Sequence, residues 1–597
     1  MNLKFKLITN EKNNSLLVNT LKISILILMT IALLGFFNPF YEYPNNAKIY
    51  GYQSMVIASG NYEYQNKWLY ETGYWEFVPA ALVKTQHDTG IPNILPLFPA
   101  IGAFFYKIFG LPGLFYLNPI ITILFLIISE RVATKYFGKY VGLLTLIFLS
   151  TNEMTFWVGS SLLTSMIFSG FFMMGIYFIL KYVRSKSYTH ILLMSIFFTL
   201  SAFIRPNGII FVPVGLLTII SFLIIENYFR KNEFKKIQFT IKNTGKTIFY
   251  GISPWLVFVI FMLSFNQYYF GDPTTTFYNV PGLPQELLSE EDNAYEINFE
   301  RFERYAGHFL PFPLDRLAAS LNYGETSASN QFEEIIEIVK GIPYISHIGL
   351  SIFFVIGLAL FFSFKNKMMR IELSVFSIFI FAFMIFYSLN YITIGRQGAA
   401  RDMMPVFPLF YTMLGYVIVK ILKKPITLNS KKSRVSIKFL KIIIISILVI
   451  FIPTSFYFAD YSQIIKNEGM EIKNPILLTQ KLPVIKDDIS KDDIIVTVYE
   501  FDMVSRYGAT VFTPYNPLDI DDPLHIQMIS KLNTILEDEE TNVLVFKNPH
   551  DVREKKFHII LNNHHEYVLK NYSDQFCKLE LKNEQNITDK ICIKIKN

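Results

Sequence analysis

Long apolar runs alternate with short polar connections along this chain, and most runs have the length of a membrane crossing. A helix needs about 20 apolar residues to traverse the hydrocarbon. Runs of that kind lie at roughly 21–38, 113–130, 139–153, 164–182, 189–205, 208–227, 247–269, 343–364, 371–391, 404–422 and 439–459. The pattern predicts an α-helical polytopic membrane protein of about 11 transmembrane helices. The strip "NILPLFPAIGAFFYKIFG" (93–110) is also apolar but holds two prolines and a lysine, so it is expected to lie in the interface.

The cations orient these spans. Arg131, Lys135 and Lys139 follow the second run, and Lys181, Arg184 and Lys186 the fourth. Arg230 to Lys246 follow the sixth, Lys365, Lys367 and Arg370 the eighth, and Lys420 to Lys441 the tenth. Short basic connections belong on the cytoplasmic side. The long ones, 39–112 and 270–342, fall on the other side, and the second carries acidic stretches such as "LSEEDNAYE". The reading is a cytoplasmic N-terminus (1–20) opening on an uncleaved anchor, a membrane domain (21–460) and an extracytoplasmic tail (461–597). In a prokaryotic cell the membrane would be the plasma membrane.

The tail has a different pattern. "DDIIVTVYE" and "NVLVFKN" alternate as strands and "HIQMISKLNTILEDE" is amphipathic, which predicts a small α/β domain. Its last stretch holds both cysteines, Cys577 and Cys592, on two expected strands; a cross-strand disulfide and a pair of half-buried thiols are both open. Asn571-Tyr-Ser573 and Asn586-Ile-Thr588 match the glycosylation acceptor pattern.

Composition agrees with the spans: 52% of the 597 residues are hydrophobic and 17% charged, less charge than a soluble domain of this length carries. The formal net charge of +7 is accounted for by the cytoplasmic connections, and no basic patch interleaved with aromatics suggests a nucleic-acid partner.

The polar groups that carry candidate chemistry collect at the external ends of spans. Glu42 follows the first, Lys84, His87 and Asp88 lie in "KTQHDTG", Glu153 ends the third and Arg205 ends the fifth in "FIRPNG". Arg396, Arg401 and Asp402 lie between the ninth and tenth in "TIGRQGAARDMMP". Acids and arginines at one membrane face suit an amphiphile with a phosphate headgroup, because guanidinium pairs with phosphate oxygens and a carboxylate can act as base. His87 and Asp88 have no third ligand spaced nearby, so no metal is expected. Asp272 in "FGDPTTTFY" is expected to form a turn after the seventh span.

The order of several pieces resembles the GT-C fold of polyprenyl-phosphate-sugar-dependent glycosyltransferases, the family 39-like group of protein O-mannosyltransferases and aminoarabinose transferases. The pieces are "YQSMVIASGNY", "PNILPLFPAIGAFFYKIFG", "LLTLIFLSTNEMTFWVGSSLLTS", "LSAFIRPNGIIFVP", "NQYYFGDPTTT" and "RQGAARDMMPVFPLFY", covering about residues 20–425. The resemblance implies inverting transfer of a sugar, hexosyl and mannosyl-like, from dolichyl- or undecaprenyl-phosphate to an external protein, lipid or glycan acceptor. It implies Glu42 or Glu153 as catalytic acid groups, Arg205, Arg396, Arg401 and Lys84 at the donor phosphate, and His87 and Asp88 on the acceptor side. The donor is a substrate, so no cofactor is expected. Two departures stand out: Asn45 and Asn46 hold the places of the family's first acid, and Ser165 lies near the place of its second. The alternatives are a flippase or transporter of lipid-linked glycans, disfavoured by the lack of midplane charge, and a lipid-linked glycan polymerase or ligase, favoured by a long loop such as 270–342.

Overall fold

A computed structural model describes residues 11–35, 45–63, 82–87, 89–92, 94–228, 233–275, 349–389 and 403–423, and in the tail 494–496, 510–512, 533, 536, 542–546, 567–571 and 576–581. The eleventh expected span, 439–459, lies outside them. Among the described residues six helices are long and apolar enough to cross a membrane, and four shorter ones are apolar as well. The described residues divide into two compact units.

The first unit is the helical bundle. Its helices are α1 (Glu11–Gly35), most of α4 (Leu111–Phe137), α5 (Lys139–Ser150), the short α6 (Glu153–Gly159), α7 (Ser165–Ser185) and α8 (Tyr188–Ile204). After a 3-10 turn (Pro206–Ile210) come α9 (Phe211–Tyr228), the first part of α10 (Glu233–Phe270), α11 (Gly349–Ser363), α12 (Lys367–Leu389) and α13 (Phe407–Lys423). The helices overrun the apolar runs. Arg131 and Lys135 sit inside α4, which continues to Gly138 with its φ of 107°. Polar residues with good helix propensity extend a span past the hydrocarbon, where water and headgroups accept them. The third run divides: α5 has 12 residues, and α6 starts separately after Asn152.

The core of the bundle is aromatic. Phe168, Phe172, Phe198, Phe211, Phe379 and Phe383 are all fully buried, with Phe172 and Phe211 ring centroids 4.7 Å apart and Phe211 and Phe383 stacked at 5.4 Å. They join α7, α8, α9 and α12, and such ring pairs each add about 0.5–1.5 kcal/mol beyond their burial.

Charge is paired between the helices in two places, the first of them buried. Lys22 Nζ of α1 meets Glu130 Oε1 of α4 at 2.5 Å, with Thr134 on the same carboxylate. Arg184 Nε of α7 meets Glu372 Oε1 of α12 at 2.6 Å. Each carboxylate is compensated by a cation of a neighbouring helix, as a charge taken out of water requires.

The second unit holds α2 (Asn45–Ala58), the hairpin β1 (Leu82–Lys84) and β2 (Gly90–Pro92), α3 (Leu97–Phe109), the end of α10 and the tail. α3 lies within the apolar strip 93–110, with its cap Pro96 three residues after the strip begins. Its Phe98, Pro99, Gly102 and Ala103 are buried; Tyr50 of α2 lies edge-on to Phe98 at 5.2 Å. Phe104, Ile108 and Phe109 are exposed, so the helix is apolar on both faces.

The tail strands form one mixed sheet, β4 (Thr510–Phe512), β3 (Ile494–Val496), β5 (Val543–Phe546), β7 (Phe576–Leu581) and β6 (Tyr567–Asn571) in that order. β3 runs parallel to β4 and β5, while β7 is antiparallel to β5 and β6. Cys577, fully buried in β7, is disulfide-bonded, which resolves the open choice for that residue; Cys592 lies outside the described residues.

Candidate functional site

One end of the bundle gathers buried polar groups. Residues 150–165 leave α5 and return as α7, and Ser150, Thr151, Asn152, Thr155, Ser160, Ser161, Thr164 and Ser165 are all buried there. Asn152 caps α6 by accepting the Thr155 N–H at 3.2 Å, and its carboxamide donates to the Tyr411 hydroxyl of α13 at 2.8 Å. Asn118 of α4 shapes the same loop, donating to the carbonyls of Val158, Ser161 and Leu163. The hydroxyls of Ser150 and Thr155 and the Asn118 carboxamide oxygen find no hydrogen-bond partner among the described residues. Buried polar atoms left in that state mark a place where water or a polar ligand belongs.

Arg205 stands at this end. It caps α8 in an extended conformation, its N–H donating to Ser201 O at 2.9 Å, and Pro206 prevents the helix from continuing. Its Nη1 donates to Ser165 Oγ at 3.3 Å, and its guanidinium lies 5.7 Å from the Phe168 ring. Ser165 begins α7, where the first amides lack intrahelical acceptors, and Thr164 at the N-cap makes no side-chain capping bond. A guanidinium beside a helix N-terminus favours an anion twice over, through its own charge and through the helix dipole.

Two other segments arrive at the same polar loop. Leu33, near the end of α1, backs onto Gly159 of α6, where even a methyl group would come within 3.2 Å of its side chain. Met403, Met404 and Val406 form a fully buried turn leading into α13, whose Tyr411 meets Asn152. Glu42 follows α1 in the sequence, and Arg396, Arg401 and Asp402 precede Met403; all four lie outside the described residues. Glu153 is the first residue of α6, with its side chain outside the description.

The other expected residues belong to the second unit. Lys84 ends β1 with its side chain undescribed, and Asp88 is outside the described residues. His87 Nε2 lies 2.9 Å from the Tyr268 carbonyl and its ring 4.8 Å from that of Tyr268. Gln86 donates to the carbonyls of Gln267 and Tyr268, and its own N–H to Tyr269 O at 2.7 Å. "KTQHDTG" therefore closes the C-terminal end of α10, satisfying carbonyls that the helix leaves unpaired. Gly271 (φ 72°) lets the chain turn away, since a Cβ there would meet Gln86 Oε1 at 2.7 Å. Asp272 follows with the expected turn, accepting from the Thr274 N–H and from the Thr274 and Thr275 hydroxyls at 2.9 Å. Those donors hold its carboxyl below the usual aspartate value. Nearby, burial and the neighbouring Tyr269 push the Tyr62 phenol well above its ordinary value, leaving it a neutral hydroxyl.

Sequence reasoning missed Asn118, Asn152 and Tyr411. The signal for the first two was present, an asparagine inside or beside an apolar run; for Tyr411 there was none.

No family model and no curated protein sequence matches this chain. It is similar in structure to ArnT from Cupriavidus metallidurans bound to undecaprenyl phosphate, at 10% identity and a TM-score of 0.49, over 94% of this chain and 97% of that one. It is also similar to the Archaeoglobus fulgidus oligosaccharyltransferase in the apo form, at 11% identity and 0.48, over 90% and 71%. A third likeness is to the oligosaccharyltransferase AglB of the same archaeon, in complex with an inhibitory peptide and a dolichol-phosphate, at 12% identity and 0.46, over 95% and 75%.

Proposed function

We propose that the chain is a membrane glycosyltransferase of GT-C type, moving a sugar from a polyprenyl-phosphate donor to an acceptor at the extracytoplasmic face. The observation that carries the reading is Arg205 on Ser165, a guanidinium at the first turn of α7 above an aromatic core. That arrangement suits a phosphate whose lipid tail runs down among apolar side chains. The ordered resemblance of the sequence over about residues 20–425 supports it independently.

In this mechanism a carboxylate removes the acceptor proton as the acceptor oxygen attacks C1 of the sugar, and polyprenyl phosphate leaves from the opposite side with inversion. Glu42 is assigned as the general base, with Glu153 as the next candidate. Arg205, Arg396 and Arg401, with Lys84, neutralise charge as it grows on the leaving phosphate, where a partly dehydrated site makes such donors most effective. His87 and Asp88 are assigned to the acceptor side. The topology has the N-terminus in the cytoplasm and the tail outside, and the disulfide at Cys577 is the chemistry of an oxidising compartment.

The test uses purified membranes carrying the wild-type chain, Arg205→Ala, Glu42→Gln or Arg396→Ala with Arg401→Ala, supplied with a panel of polyprenyl-phosphate sugars. Sugar release by the wild type, its loss in Arg205→Ala, and donor binding without turnover in Glu42→Gln are expected. A normal Glu42→Gln variant would move the base to Glu153. A wild type that consumes no donor overturns the proposal in favour of a transporter or a ligase.

A further inference from the structure

We infer that the basic ends of α4 and α7, beside Glu372 of α12, form a binding site for the phosphate of an anionic phospholipid in the adjoining leaflet. The site lies at the end of α7 away from Ser165 and depends only on these helices crossing a membrane, not on the glycosyltransferase reading. Lys135 Nζ donates to the Tyr177 hydroxyl at 3.0 Å and lies 4.9 Å from that ring's centroid. Lys181 Nζ stands 5.4 Å from the same ring, and Arg184 lies 4.5 Å over the ring of Tyr136. The two tyrosine rings are themselves 6.3 Å apart. Three cations from two helices thus converge on two tyrosine rings.

The compensating charge is incomplete. Among the described residues the carboxylate that meets this group is Glu372, and Arg184 occupies its Oε1. Neither lysine has a described carboxylate within ion-pair distance. Below them Tyr136 is 3% exposed, and its hydroxyl has no partner among the described residues. Lysine and arginine offer only donors, and a buried phenol O–H also wants an acceptor, so the group that completes the cluster is rich in acceptor oxygens and negatively charged. A water bridging Tyr136 to the unpartnered Glu372 Oε2 would satisfy those two atoms and leave both ammonium groups uncompensated. A phosphate diester satisfies the phenol and the lysines together. Its source is the lipid headgroup layer, the depth at which tyrosines and lysines at helix ends reside and anionic lipids attract clustered cations.

The test titrates the full-length protein in neutral detergent with phosphatidylglycerol, phosphatidylcholine or inorganic phosphate, reading thermal unfolding and bound lipid by native mass spectrometry. Phosphatidylglycerol is expected to raise the unfolding midpoint and remain bound, and the other two at equal concentration to do neither. Lys135→Gln with Lys181→Gln should weaken phosphatidylglycerol about tenfold or more, while arginine at both positions retains it. Tyr136→Phe should cost a smaller factor. If the double variant does not fold, each single variant is read in the same way. Equal response to both lipids, or an unchanged glutamine variant, overturns the proposal. A response to inorganic phosphate equal to that of phosphatidylglycerol overturns the lipid source.

Discussion

Arg205 Nη1 and Ser165 Oγ meet at 3.3 Å, linking the cap of one span to the first turn of another. Ser165 lies near the place where the resembled family carries its second acid. An acid there would form an ion pair with Arg205, whereas Ser165 takes only a neutral hydrogen bond from its guanidinium. Arg205→Ala is therefore expected to lower donor kcat/KM about ten- to hundredfold, the weight of one charge-assisted hydrogen bond of ~1.5–3 kcal/mol. Arg205→Lys should recover little, because a point charge lacks the planar fork. Ser165→Asp should inhibit by pairing with Arg205. Donor kinetics that do not change in Arg205→Ala would sink the phosphate role.

Gly208 closes the turn that presents Arg205. A Cβ at that position would lie 2.6 Å from the Ala202 nitrogen and 2.7 Å from the Ser201 carbonyl carbon, and backbone cannot yield as a side chain can. Gly208→Ala should destabilise the protein by about 1–3 kcal/mol and displace Arg205. Thermal unfolding in detergent measures the first effect. Donor KM, rising out of proportion to the lost stability, measures the second.

Lys22 and Glu130 are 10% and 9% exposed at their side chains; Lys22 left alone would be stranded, whereas Glu130 keeps Arg131 Nε 3.8 Å from its Oε2. Glu130→Leu is therefore expected to cost about 3–5 kcal/mol, and Lys22→Met with Glu130→Leu much less than the two single changes summed. Unfolding of the three variants in one detergent gives the coupling directly. Additive effects would mean that the pair contributes no interaction of its own.

Asp272 offers a pH prediction. Its folded-state pKa lies below the ordinary 3.8, so its ionised form is favoured by folding. The turn's stabilisation is complete above the unfolded value and disappears as pH falls through the lower, folded one. Carboxyl chemical shifts of a labelled aspartate in this turn should titrate below 3.8. A midpoint at or above it would contradict the hydrogen bonds from Thr274 and Thr275.

Cys577 tests the topology. Because the residue is fully buried, the chain is unfolded before labelling, and a maleimide should then reach Cys577 only after reduction, as expected of a tail in an oxidising compartment. Labelling of the unfolded chain without reductant would leave the thiol free and place the tail on the reducing side.

Much of the helical plan was legible in the residues themselves. About 20 apolar positions in a row can cross the hydrocarbon only as a helix, because each backbone group must be satisfied within its own segment. "FIRPNG" likewise announced a helix end, since proline cannot continue one. The helix bounds were less legible: Glu11, Arg131 and Lys135 lie inside helices because local propensity, not hydropathy, decides where a helix stops.

What the tertiary structure decided is which polar residues meet. Lys22 and Glu130, 108 positions apart, and Asn152 and Tyr411, 259 apart, are partners that no local pattern could pair. "KTQHDTG" looked like site chemistry, and folding turned Gln86 and His87 toward the carbonyls at the end of α10. Hydropathy is a property of a segment and is written in the sequence. Compensation of a buried charge or carbonyl is a property of two segments, and it exists only after they pack.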